Sequence, residues 1–165
     1  MQLIPLFLKE LQNEAAITRK MLERVPFDKF DWKPHVKSMS LDNLTVHIAE
    51  LFSWPAMVLQ TSEVDFGAMD YKPTRLNSLE ELQALQEKSL AESIAVLENA
   101  KEEDLLQEWT MRTGDRIHSR QPKHEVIRMA LNQVTHHRAQ LGVYLRLLDI
   151  PIPGSYGPSA DETDL

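Results

Sequence analysis

HEVIRMALNQVTHHRAQLGVYLRLL, residues 124–148, is the stretch on which the fold turns. It holds no proline, and its one glycine, Gly142, comes late. Val126, Ala130, Gln133, His137, Leu141, Tyr144 and Leu148 recur three and four residues apart. At about 100° per residue they fall within one narrow arc, so the stretch predicts a long amphipathic helix. Pro122 suits its first position, the helix runs to about Asp149, and Pro151 ends it. Two members of the arc are polar. Gln133 and His137 are four apart and share a face. His136 lies at the edge of the arc with Met129, Gln140 and Leu147.

Three more segments have helical rhythm. The first runs from about Gln2 to Val25, with Phe7, Leu11, Met21 and Val25 spaced as a bundle-facing stripe. Pro5 is tolerated in a first turn and Pro26 stops the segment. In the second, Ser40 caps LDNLTVHIAELFSW (41–54), whose apolar face is Leu44, Ile48, Leu51 and Phe52. Pro55 is expected to kink or end it. The third opens with Ser78 and Glu81 as a capping box. Leu82, Leu85, Val96 and Leu97 carry its stripe to about Ala100.

Between the third and fourth segments, WTMRTGDR (109–116) has β-type residues around Thr113-Gly114-Asp115 and reads as a short hairpin or an extended loop. Residues 26–39 and 150–165 are connections without helical rhythm. No internal repeat or low-complexity tract interrupts the pattern. The expectation is one domain, residues 1–165, built as an all-α antiparallel four-helix bundle with an extended tail at 150–165.

Composition narrows the function. The chain has 165 residues, with 18 Lys and Arg against 25 Asp and Glu, for a formal charge of −7. That balance, with no basic stripe, argues against a nucleic-acid surface. The absence of Cys excludes disulfides, thiol nucleophiles and Cys-ligated zinc. No apolar run approaches the length of a membrane span, and the N-terminus lacks a signal-peptide pattern. A soluble cytoplasmic protein is expected. No phosphate-cradling glycine loop and no GxSxG elbow is present.

The informative positions are those where an apolar stripe turns polar. His47 stands three residues after Leu44 and four before Leu51, so it points inward. Glu14 and Thr18 interrupt the first stripe, Ser89 and Ser93 the third. One reading is a cavity lined by His47, His137, Gln133, Glu14 and His136 that holds a metal or small ligand. The other is a set of core histidines hydrogen-bonded to Glu14, the serines and water. Spacing alone leaves both open. His35, His118 and His124 read as surface residues, and Trp32, Trp54 and Trp109 as packing at the edge of the core.

Three pieces make the chain recognisable: FDWKPHVKSMSLDNLTVHIAEL (30–51), HEVIRMALNQVTHHRAQLGVYLRLLDIPIP (124–153) and YGPSADE (156–162). They resemble the DinB family, also described as DinB/YfiT-like metalloenzymes, over nearly the whole chain. HHR-x-Q-L is the most specific piece. The resemblance implies a helical bundle with a divalent ion such as nickel, zinc or manganese held by three His: one on the second helix and an H-x-x-x-H pair on the fourth.

Carried over, His47 matches the first ligand and His137 the second His of the pair. The first His of the pair falls on Gln133, and His136 is the neighbouring substitute. Glu14, Thr18 and Tyr144 are candidates for the cavity wall. The resemblance further implies a metal-dependent enzyme, a thiol S-transferase or a hydrolase. Its partners would be a small-molecule substrate and a low-molecular-weight thiol, with Arg138, Tyr144 and Arg19 as candidate anchors for a carboxylate on that thiol. It implies a homodimer, compatible with the broad apolar arc at Met129, Val143 and Leu147. The competing reading is a non-catalytic bundle with a degenerate metal site, in which Gln133 marks the lost ligand and the cavity takes a small molecule.

Overall fold

The computed structural model describes residues 2–70, 72 and 74–163. Five helices and a three-stranded mixed sheet are found among them: α1 (Leu3–Leu22), α2 (Leu41–Leu51), α3 (Trp54–Gln60), β1 (Glu63–Asp65), α4 (Leu79–Asn99), β2 (Glu108–Thr113), β3 (Arg116–Pro122) and α5 (Lys123–Leu147). The expected all-α antiparallel four-helix bundle is therefore corrected on two counts.

The first is Pro55. It does not merely close α2. Its fixed φ and missing N–H suit a first turn, and it stands there in α3, a separate helix. The second is the sheet. β2 and β3 pair antiparallel through Trp109↔Gln121 and Thr110↔Arg120, with a bulge at Met111/Arg112. β1 adds in parallel on the other edge of β2, through Val64↔Met111. Gly114, at φ +55°, supplies the left-handed residue of the hairpin turn. The Asp65 carboxylate accepts from the N–H groups of Gly67 (2.8 Å) and Gly114 (2.9 Å), tying β1 to that turn.

Local chemistry sets the helix ends. Ser40 Oγ accepts from Asn43 N–H at 3.3 Å, and Ser78 Oγ from Glu81 N–H at 3.2 Å. The Glu81 carboxylate reaches Asn77 N–H instead of Ser78, so only half of the expected box forms. α1 has no side-chain cap of its own. Its first donors, Leu3 and Ile4 N–H, both reach the Glu102 carboxylate at 3.0 Å, from a 3₁₀ turn at Glu102–Leu106.

α1, α2 and α3 each pack against both α4 and α5. The buried apolar residues fall into two clusters. One holds Leu11, Phe52, Leu97, Trp109, Ile127 and Val134; the other holds Leu22, Leu44, Ile48, Leu82, Leu141 and Leu145. A polar layer lies between them along the chain. α5 passes from Val134 to Leu141 through His137 and Arg138, α1 from Ala15 to Met21 through Thr18, and α4 from Leu82 to Leu90 through Gln86. No helix among the described residues is long and apolar enough to cross a membrane.

Candidate functional site

The polar layer separates into two sites, on different faces of α5. Consecutive residues on a helix point about 100° apart. His137 and Arg138 are therefore aimed at different neighbours: His137 at α2 and Arg138 at α1.

On the α2 side, the rings of His47 and His137 stand 4.7 Å apart, centroid to centroid, nearly perpendicular at 80°. Both are partly buried. The His136 ring lies 4.9 Å from His137 but is exposed. Gln140 links the two neighbours. Its Oε1 is 2.9 Å from His137 Nδ1 and its Nε2 is 3.1 Å from His136 Nε2. An amide oxygen only accepts and an amide nitrogen only donates. With the amide oriented so, His137 donates from Nδ1, and its Nε2 makes no hydrogen bond among the described residues. His136 spends its Nε2 lone pair on the amide.

His47 makes no hydrogen bond among the described residues. Its pKa is lowered, first by burial and then by the neighbouring His137, which holds the ring in its neutral form. Gln133 is partly buried one helical turn before His137. Among the described residues no three His, Asp or Glu are grouped to hold a metal.

His47 also borders a cavity of about 600 Å³. Its apolar wall is Met39, Val46, Trp54, Met57, Val64, Phe66 and Met69; Asn43, Glu50 and Thr74 add polar atoms. The Thr74 hydroxyl donates to Glu50 at 2.6 Å. Tyr144 does not line this cavity. Its hydroxyl donates to the Met39 carbonyl at 3.2 Å and its ring meets Trp32 edge-on, so it holds a wall residue in place.

On the α1 side, Arg138 and Glu14 are buried and paired at 2.7 Å. Arg138 also donates to Thr18 Oγ1 (3.0 Å) and to the Tyr156 hydroxyl (2.7 Å), which stands 2.7 and 2.8 Å from the two Glu14 oxygens. Glu14 and Thr18 thus hold a guanidinium and the tail, away from the histidines. Of the three anchors expected for an anionic cosubstrate, Arg138 is bound to Glu14 and Arg19 to Glu87. Tyr144 is engaged at Met39.

Sequence reasoning missed Gln140, Tyr156 and the cavity wall. The 3- and 4-residue steps from Gln140 back to His137 and His136 were a readable signal. The convergence of 39, 54–57 and 66–69 was not.

The architecture is that of DinB-like proteins. The family's profile matches residues 1–164, and the chain belongs to the DinB family. An uncharacterized protein of Bacillus subtilis (strain 168), YjoA, is 26% identical over 136 residues, 81% of this chain and 83% of that one. The crystal structure of YjoA superposes with a TM-score of 0.70, covering 96% of this chain and 99% of that chain at 20% identity. A DinB-like protein from Bacillus cereus ATCC 10987 gives 0.70 as well, with 19% identity over 91% of this chain and 95% of that one. A mycothiol-dependent maleylpyruvate isomerase gives 0.60 at 15% identity, covering 84% of this chain and 60% of that one.

Proposed function

We propose that the chain is a metal-dependent enzyme of the DinB-like superfamily, centred on the His47–His137 pair. The observation that carries this is the pair itself. Two imidazoles from different helices face each other in a partly buried layer; His47 is kept neutral, and neither His47 nor Nε2 of His137 makes a hydrogen bond among the described residues. Neutral imidazole is the ligating form. Gln133, on the same face of α5 as His137, is the third donor. Two imidazoles and an amide suit a divalent ion such as nickel, zinc or manganese, held more weakly than by three His.

A bound ion there would lower the pKa of a thiol or water and present it to an electrophile. The chain has no Cys, so a thiol would come from a cosubstrate. Gln140 fixes which His137 nitrogen faces the pair, as outer-shell partners of metal-bound His commonly do. Two comparisons lend support: the family membership, and the likeness in fold to a mycothiol-dependent isomerase.

A non-catalytic bundle whose cavity takes a small molecule is the second reading. It is favoured by the absence, among the described residues, of three His, Asp or Glu grouped to hold an ion. Thermal unfolding with and without chelator separates the two, because an ion bound to the folded state raises its stability. The enzyme reading expects a lower melting temperature in chelator, restored by added nickel or zinc. An unchanged melting temperature in both conditions supports the second reading.

A further inference from the structure

The approach to His47 is mostly apolar. Three of the seven apolar wall residues are methionines, unbranched and polarizable side chains that adapt to varied shapes. Phe66 and Met69 form an open rim, at 45% and 47% exposure. Among the described residues no Lys or Arg lines the cavity, and its one charged side chain is the acidic Glu50. Two cations of the neighbouring segment pair with other carboxylates at the surface: Arg75 with Asp42 and Lys72 with Asp70. A carboxylate or phosphate entering here would lose water against the apolar wall and gain no counter-charge. The chain's charge of −7 adds to the repulsion.

From this we infer that the His47 cavity takes an uncharged apolar molecule, aromatic or branched aliphatic, and rejects anions. The ligand's apolar body lies on the methionine and aromatic wall, and its functional end faces His47. The inference takes the role of His47 from the proposed function. It deepens that reading by naming the substrate class, and it places the binding of any anionic cosubstrate outside this cavity.

Two fluorescent probes with the same ring system test it on the full chain: N-phenyl-1-naphthylamine, which is neutral, and its 8-sulfonate, which is an anion. Titrations are run in chelator, so the result does not depend on ion binding. A failure of the metal reading would appear in ion uptake and not here. The neutral probe is expected to saturate at one per chain and to bind at least about tenfold more tightly than the sulfonate. Phe66→Ser should weaken the neutral probe about tenfold, the value of one lost aromatic contact. Met69→Lys should raise affinity for the sulfonate and narrow the gap. Both positions are rim residues, and matching circular dichroism spectra would show that the variants fold. Equal binding of the two probes, no saturable binding of the neutral one, or indifference of both probes to both variants would overturn the inference.

Discussion

Arg138 and Glu14 form an ion pair of 2.7 Å with side-chain exposures of only 3% and 9%, and the tail reaches it through the Tyr156 hydroxyl. α1, α5 and residues 150–163 therefore meet at one buried charge pair. Breaking such a pair leaves an uncompensated charge and costs about 3–5 kcal/mol, whereas replacing both partners with apolar residues can be close to neutral. Arg138→Met and Glu14→Leu should each lower stability by about that range in urea unfolding. The double variant should lose clearly less than the sum.

Gln140 decides how His137 presents itself. Gln140→Leu removes both amide bonds, to His137 Nδ1 and to His136 Nε2. In the parent, ¹⁵N spectra should show His137 protonated on Nδ1. The variant should show a mixture of tautomers. Its affinity for nickel or zinc should fall about 10- to 100-fold, the usual effect of losing an outer-shell partner.

Asp42 gives a pH dependence with a definite sign. It lies in the first turn of α2 at 7% exposure, and its Oδ1 has no hydrogen-bond partner among the described residues. Burial pushes its pKa above 3.8, against the pull of the Arg75 guanidinium; Asp31 pushes it further up. The folded state thus holds the proton to higher pH than the unfolded state. The stabilising contribution of that proton is complete below pH 3.8 and is lost as pH rises through the raised folded value. Asp42→Asn, which stays uncharged, should be more stable than the parent at neutral pH. The difference should vanish as the pH is lowered toward 3.8, as thermal melts across the range would show.

Glu102 stands in for the missing cap of α1 by accepting from Leu3 and Ile4 N–H. Glu102→Ala should cost about 0.5–2 kcal/mol, the range for lost caps. Amide exchange should increase selectively in the first turn of α1.

These relationships differ in how far they were legible in the sequence. α1, α2, α4 and α5 were readable because Ser40, Ser78 and the prolines mark their ends and each carries an apolar stripe. α3 was hidden because Pro55 suits the start of a helix as well as its end. β1 is three residues long, and β3, RIHSRQP, has no alternating apolar pattern to declare it. A helical wheel placed His47, His137, Glu14 and Thr18 facing inward. It could not tell that α1 and α2 address different sides of α5, so the two polar groups looked like one cavity. Glu102 reaching α1, and residues 39–69 converging on His47, depend on contacts distant along the chain.

His47 and His137 are proposed to form a divalent-ion site. Elemental analysis of tag-free protein, after incubation with nickel or zinc and desalting, tests it most directly beside His137→Ala. Close to one ion per chain is expected in the parent, with loss of that ion in the variant. A parent that stays metal-free after incubation, or a variant that retains the parent's ion content, would contradict it.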